Sequence, residues 1–346
     1  MTLASRQACD AVQGAVARGA TPGAVLCAGW GPETEVLEAF GWAERGSRQR
    51  AMTTGTLFDL ASLTKVVATL PVLLQLIAAG EVSLGDHVAE LLPGFGAEPA
   101  WRSSVTVEHL LTHTAGLPAF REHWRAGLAP CELRHRLLTE PLLAPPGERV
   151  VYSDIGFMLL GWLAEALTGR PLDALVAAIV AGPLGLGLTG FGPRMERDVA
   201  ATELRSDGRY HVGAVHDETA AALGAPAGHA GLFSTAADLG GYLAAWTGRS
   251  GLWLPRSLRE AAASDRTAGL GGHRGLGWAA RHDSSDQLGD AWPESAVSHS
   301  GFTGTSLALD MPSGRWVVLL TNDVHFGRGR GVINPLRRAV HTALAP

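Results

Sequence analysis

Ser62-Leu63-Thr64-Lys65 places a hydroxyl and an amine three positions apart, and on a helix residues at that spacing share a face. A serine hydroxyl is a weak nucleophile until a neighbouring base takes its proton. Lysine plus arginine total 28, and of these 27 are arginine and only Lys65 is lysine. Arginine can fill most surface roles of lysine, but its guanidinium does not give up a proton. A chain that uses arginine everywhere else marks Lys65 as a lysine kept for its chemistry. Ser62 also opens the apolar run VVATLPVLLQLIAAG. A helix start there would offer free N–H groups and positive partial charge to a developing oxyanion. The expected chemistry is attack on a carbonyl by Ser62, with Lys65 as its activating partner.

Tyr152-Ser153-Asp154 form a second cluster, between the turn Pro145-Pro146-Gly147 and the apolar stretch IGFMLLGWLAEAL. A phenol beside a lysine ammonium can relay protons, and Ser153 and Asp154 both suit a helix cap. A third cluster, His299-Ser300-Gly301-Phe302-Thr303-Gly304-Thr305, precedes a hairpin. Gly301 would let a substrate approach an edge strand closely. The backbone N–H groups of Ser62 and Phe302 are then the expected oxyanion donors, and Asp154, His299, Ser300 and Gly301 the expected substrate-binding positions. His216 and Asp217 in AVHDETAAALG and His229 in GHAGLF are further groove candidates; chemistry and loop hydrogen bonding remain open for them. His113 in LLTHTAGLP reads as structural. The chain has 13 histidines, but no HExxH and no pair at ligand spacing on a helix, so no metal is expected.

These clusters need elements to hold them. Residues 3–18 read as a helix. Segments 24–30 and 34–43 read as strands across a Gly31-Pro32 turn. Residues 62–80 read as a largely buried helix ending at Gly80 and kinked at Pro71. Helices are expected to begin near Thr106, Pro130, Ser153, Pro171 and Ser234, each with a cap or first-turn proline. Strands 306–311 and 315–322 form a hairpin across PSG, and a helix over about 332–344 ends the chain. Strands at both ends with helices between predict one sheet built from the two termini. With no linker or repeat, the chain reads as a single domain over 1–346. Its α/β lobe takes about 1–75 and 270–346, and its helical lobe about 76–269.

Composition narrows the partners. A hydrophobic fraction of 46% against 18% charged residues is that of a folded globular chain. A net charge of -5 leaves no electrostatic footprint for nucleic acid. No uninterrupted apolar run reaches the ~18 residues of a membrane span, and the N-terminal segment lacks the apolar core of a signal peptide. The expectation is a cytoplasmic protein, unless a leader was trimmed, acting on a small acyl substrate. Cys9, Cys27 and Cys131 are odd in number and dispersed, so they are expected to be buried hydrophobes rather than a disulfide framework.

The three clusters resemble those of the serine β-lactamase, penicillin-binding-protein and esterase superfamily. S-x-x-K comes early, a Tyr-x-Asn-type triplet about ninety residues later, and a Lys/His-x-Gly triplet on a late strand. The likeness is to the class C β-lactamase and esterase branch, and FDLASLTK, LLTHTAGLP, PPGERVVYSD, GHAGLFSTAADL and HSGFTGTSLALD extend it along nearly the whole chain. It implies an α+β fold: a mainly antiparallel sheet flanked by helices, a mostly helical second lobe, and the site in the groove between them. It also implies a covalent acyl-serine passed to water, with no cofactor. Two positions depart from that pattern. Asp154 stands where asparagine is usual, losing an amide donor and adding a charge that favours protonated Lys65 and shifts the base role toward Tyr152. His299 stands where many members have lysine. A histidine with the ordinary pKa of ~6.5 is largely neutral above pH 7, so carboxylate substrates are expected to be handled poorly there. Three functions follow: hydrolysis of D-amino-acid peptides, muropeptide fragments or β-lactam amides; a carboxylesterase on small acyl esters; and a slowly acylated, non-catalytic binding module.

Overall fold

Near-continuous apolar runs in the first and last strands give each an apolar face toward both of two helix layers. The computed structural model describes residues 1–46, 48–96, 100–195, 198–224, 226–248 and 253–346. The strands near the N-terminus are β1 (Gly23–Trp30), β2 (Glu33–Glu44), β3 (Arg50–Ala51) and β4 (Phe58–Asp59). Two mid-chain strands are β5 (Gly190–Phe191) and β6 (Leu232–Ser234). The last four are β7 (Ala279–Ala280), β8 (Val297–Ser300), β9 (Ser306–Asp310) and β10 (Arg315–Thr321). A seven-stranded antiparallel sheet runs β3-β2-β1-β10-β9-β8-β7, so the two chain ends meet where β1 pairs with β10. Ala24, Leu26 and Ala28 with Val317 and Leu319 pack beneath the Leu3–Ala17 and Ile333–Ala343 helices. Val25 and Cys27 with Val318 and Leu320 face the other layer, which includes the Ala236–Trp246 helix. A sheet covered on both faces explains why these strands read as near-continuous apolar runs.

The helices between the strands start close to where their caps predict. Thr106 caps Val107–Leu111, Ser153 caps Asp154–Thr168, and Pro130 opens Pro130–Leu138. The helix expected near Ser234 starts at Ala236, capped by Thr235. Ser234 instead ends β6, where its hydroxyl meets that of Thr189 at 2.7 Å. The three-stranded sheet β4-β6-β5 has only two or three residues per strand, too few for a periodic pattern to announce.

The segment bearing Ser62 is not the single kinked helix expected. A 3-10 turn over Ala61–Leu63 leads into a π-turn over Lys65–Thr69 and then the α-helix Leu70–Ala78. Pro71 stands in the first turn of the α-helical part and brings no N–H to the preceding turn, where the Val66 carbonyl accepts the Tyr242 hydroxyl instead. The wider turn before it closes through the Leu70 N–H to the Lys65 carbonyl. Residues 61–78 are long and apolar enough to cross a membrane, with mean hydropathy 1.7, yet 78% of the stretch is buried inside the protein. Cys27 is buried in the core, and burial pushes its thiol up to about 12. Cys9 is half-buried and Cys131 is exposed, against the expectation that all three are core residues. Cys131 faces solvent from the first turn of its helix.

Candidate active site

The tight turn before Ser62 puts a non-glycine residue, Ala61, in the left-handed region at φ 46°. The Ala61 N–H is held by the Asp59 carboxylate at 2.8 Å. Lys65, wholly buried, then reaches back under the serine. Its three N–H bonds meet three acceptors: Ser62 Oγ at 3.0 Å, Asp154 Oδ1 at 2.7 Å and the His229 carbonyl at 3.2 Å. Burial alone would lower the affinity of this amine for its proton. The charge of Asp154, then Tyr152, reverses that, and the Lys65 pKa lies above its ordinary value. Lys65 is therefore an ammonium at neutral pH, and in the resting site it donates to Ser62 rather than accepting from it.

Tyr152 packs beside this ammonium, with Lys65 Nζ 5.0 Å from the ring centre. The Arg274 guanidinium lies 5.3 Å from the same ring and the His113 ring 4.5 Å away. His113 has φ 60°, accepts the Ser153 N–H on Nδ1 at 3.0 Å, and accepts the Val151 N–H on its carbonyl at 2.8 Å. Burial first, and then Arg274 and Lys65, press its pKa well below the usual value. It is thus a neutral backing plate for Tyr152. Ser153, not Asp154, is the cap: it accepts the Gly156 N–H at 3.2 Å and donates to the Pro118 carbonyl at 2.7 Å. That leaves Asp154 in the first helical turn, free to meet Lys65.

His299 pairs with Leu307 of β9. Its other side is open, because the short β7 pairs only with Val297 and Ser298. Its Nδ1 lies 3.1 Å from the Ser300 carbonyl, and its buried Nε2 has no partner. Burial, Lys65 and Arg274 push its pKa well below the ordinary value. That direction runs against the expectation that His299 titrates near neutrality. Gly301 also meets a packing demand inside the protein. A Cβ there would stand 2.4 Å from the Leu60 carbonyl oxygen and 2.2 Å from Thr305 Oγ1. The glycine lets the end of β8 press against the serine turn. The Phe302 N–H has no intramolecular acceptor among the described residues, and its exposed ring stacks on His216 at 5.8 Å beneath Arg328 at 5.5 Å.

Ser62, Tyr152 and Phe302 stand between two compartments. One, of about 510 Å³, includes Arg274, His299, Ser300, Gly301 and Arg337 in its walls. The other, of about 700 Å³, includes Phe120, Trp124, Met158, Asp217, His229 and Arg328. His216 lines this second compartment as well, with Nε2 3.4 Å from Glu203. Asp217 accepts the Ala220 N–H and lies 3.0 Å from His229 Nε2. Burial would raise the Asp217 carboxyl, but His229 and the Ala220 amide hold it well below the usual range. All the sequence candidates thus come together around one cleft. Among the described residues no group of three or more His, Cys, Asp or Glu could hold a metal ion.

Three residues of the site escaped the sequence reading. Asp59 sits two positions before Ala61 in FDLASLTK, where only its burial shows its use. Arg274 is buried, with Nη2 3.0 Å from Asp283 and 2.9 Å from Ser285, and its Nε has no partner. Arg337 donates from Nη2 to the Gly301 and Thr305 carbonyls, each at 2.9 Å. Burial brings its pKa down to about 10. In a chain with 27 arginines, nothing in composition separates these two from the rest.

Known proteins resemble this chain along most of its length. A family model described as Beta-lactamase matches residues 10–342. An Escherichia coli (strain K12) protein named "Putative D-alanyl-D-alanine carboxypeptidase" is 31% identical over 313 residues, covering 79% of this chain and 70% of that protein. The solved structure of EstCE1, described as a hydrolase with promiscuous acyltransferase activity, covers 98% of both chains with a TM-score of 0.78 at 24% identity. A penicillin-binding protein homolog from Caulobacter crescentus covers 99% of this chain and 97% of its own, with a TM-score of 0.78 at 22% identity. At such identities these two likenesses are likenesses of fold.

Proposed function

Because this chain belongs to the beta-lactamase family of serine hydrolases and has its α+β β-lactamase/transpeptidase fold, we propose that it forms an acyl-enzyme on Ser62 and cleaves D-amino-acid peptides ending in a free carboxylate. Ser62 Oγ attacks the scissile carbonyl as its proton passes to Tyr152, which reacts as a phenolate. Lys65, held as an ammonium by Asp154, fixes the serine and offsets charge on the phenol. The N–H groups of Ser62 and Phe302 receive the oxyanion. The leaving amine takes the proton back from Tyr152, and water then hydrolyses the acyl-serine.

The observation that carries the substrate class is the pair of arginines, Arg274 and Arg337, in the compartment on the His299 side of Ser62. Arg274 is paired with Asp283, but the Nε of each guanidinium has no partner, which supports binding of an anionic group of the substrate on this side of Ser62. The name of the Escherichia coli relative points the same way. The experiment compares a D-alanyl-D-alanine peptide, its C-terminal amide, nitrocefin and a p-nitrophenyl ester. Intact-mass mapping of a fluorophosphonate adduct accompanies it. The reading expects the adduct on Ser62, no adduct in Ser62→Ala, and kcat/KM at least tenfold higher for the free acid than for the amide. An adduct on another serine defeats it. A second reading, a carboxylesterase, is favoured by the apolar side chains of Phe120, Trp124 and Met158 in the other compartment. Preference for the neutral ester, with no discrimination between acid and amide, would select it.

A further inference from the structure

Asp59 is a buried carboxylate, 2% exposed, with no lysine or arginine paired to it among the described residues. Burial pushes its carboxyl up, although two backbone amides pull the other way. Such a group is costly to keep, and a neutral side chain would fill the space with a smaller desolvation penalty. Its two oxygens serve two different segments. One accepts the Ala61 N–H and the other the His216 N–H, both at 2.8 Å. Its own carbonyl accepts the Thr303 hydroxyl at 2.7 Å, and the next carbonyl, that of Leu60, accepts the Thr305 hydroxyl at 3.2 Å.

The two segments reconverge on Lys65. Ala61 leads to Ser62, whose Oγ meets Nζ at 3.0 Å. His216 leads to Asp217, which holds His229 at 3.0 Å, and the His229 carbonyl meets the same Nζ at 3.2 Å. The bonds form a closed ring with Asp59 at one pole and the Lys65 ammonium at the other. We propose that Asp59 is a positioning residue that sets the Ser62 turn and the His216–Asp217 wall in one register, so that serine and ammonium meet in reactive geometry. An asparagine in its place could not do this: it would turn an amide NH2 toward one of two backbone N–H groups. Without the clamp, the Ala61 N–H loses its acceptor, and only the Thr64 bonds to the Ala61 carbonyl hold this residue in the left-handed region that a non-glycine residue avoids. This inference rests on the reading of Ser62 as the nucleophile.

The test is Asp59→Asn, with the rate of fluorophosphonate labelling at Ser62 and kcat and KM for a p-nitrophenyl ester expressed per folded molecule. The folded fraction is taken from circular dichroism and end-point adduct mass. A displaced nucleophile predicts losses of about 10²-fold in labelling rate and kcat, with KM within about threefold of wild type. A labelling rate per folded molecule within threefold of wild type, whatever happens to Tm, overturns the proposal, because a merely stabilising carboxylate leaves that rate unchanged. If Asp59→Asn does not fold, Asp59→Glu carries the test by keeping the charge and both acceptor oxygens while displacing them from the Ala61 and His216 N–H groups. A severalfold fall in kcat is then expected, and an unchanged kcat overturns the proposal. An adduct on a residue other than Ser62 in the wild type sinks the hydrolase reading itself. An adduct on Ser62 with unchanged kinetics in the variant sinks only the role of Asp59.

Discussion

Lys65 and Asp154 are the pair in which residue chemistry is most exposed to test. The ammonium is desolvated, and what keeps it charged is chiefly the carboxylate 2.7 Å away. In Asp154→Asn the burial penalty remains and its main opponent goes, so Lys65 loses its proton at lower pH. If the charged lysine is the working form, the alkaline limb of kcat/KM moves down by about one unit or more. A limb that stays in place in a pH–rate profile would show that Asp154 does not control this proton. Arg274 bears on specificity. A guanidinium keeps its charge across the working range, so preference for a carboxylate peptide over its amide should be flat from pH 6 to pH 9. Arg274→Gln should cut that preference about tenfold, the scale of one charge-assisted hydrogen bond. A wild-type preference that decays through pH 6.5 would return the role to His299.

Elements matter here through the closeness of their backbones. The loop that brings the His229 carbonyl to Lys65 touches the Asp154–Thr168 helix at Gly228. A Cβ on Gly228 would lie 2.0 Å from the Phe157 carbonyl oxygen and 3.1 Å from the Gly161 nitrogen. The same loop accepts the Thr69 hydroxyl on the Gly228 carbonyl at 2.7 Å. Gly228→Ala must push the loop off the helix and so withdraw an acceptor from Lys65. Chemical denaturation should show a loss of about 1–3 kcal/mol, typical of overpacking, together with slower labelling of Ser62. Wild-type stability and labelling in that variant would mean the loop yields without consequence. The π-turn at Lys65–Thr69 belongs to this scale as well, since it ends at the proline-bearing helix and begins at the catalytic candidate.

At the scale of the whole molecule, buried neutral histidines set the response to acid. His341 is fully buried, and its pKa is pulled from 6.5 down to about 4, mainly by burial and further by Arg337. Burial is also the largest cause of the depressed pKa values of His113 and His299. Between pH 6.5 and 4 the unfolded chain binds protons that these rings refuse when folded, so stability falls as pH falls through that window. For His341 alone the shift corresponds to about 3 kcal/mol once pH is below 4. The Tm should therefore fall steadily from pH 7 to pH 5, and His341→Gln should fall less steeply over the same interval. A Tm that is flat across this range would show that these rings take up protons without unfolding.

How much of this was legible beforehand follows from the range of each interaction. Sequence alone determined what depends on neighbours along the chain. The spacing of Ser62 and Lys65, the uniqueness of that lysine, the PSG hairpin, the caps at Thr106 and Ser153 and the apolar runs of β1 and β10 are all local patterns. Strands at the two ends of the chain were enough to imply a shared sheet, because each needed a partner. Tertiary structure decided what depends on surroundings. The Lys65 amine is charged because Asp154, distant in sequence, touches it. His299 is neutral because it is buried near two cations. Gly301 is required by the closeness of the Leu60 backbone. Asp59, Arg274 and Arg337 take part because chain segments up to 245 residues apart are brought within hydrogen-bond reach. Protonation and contact are set by desolvation and by distances in space, and neither quantity is written in the order of residues.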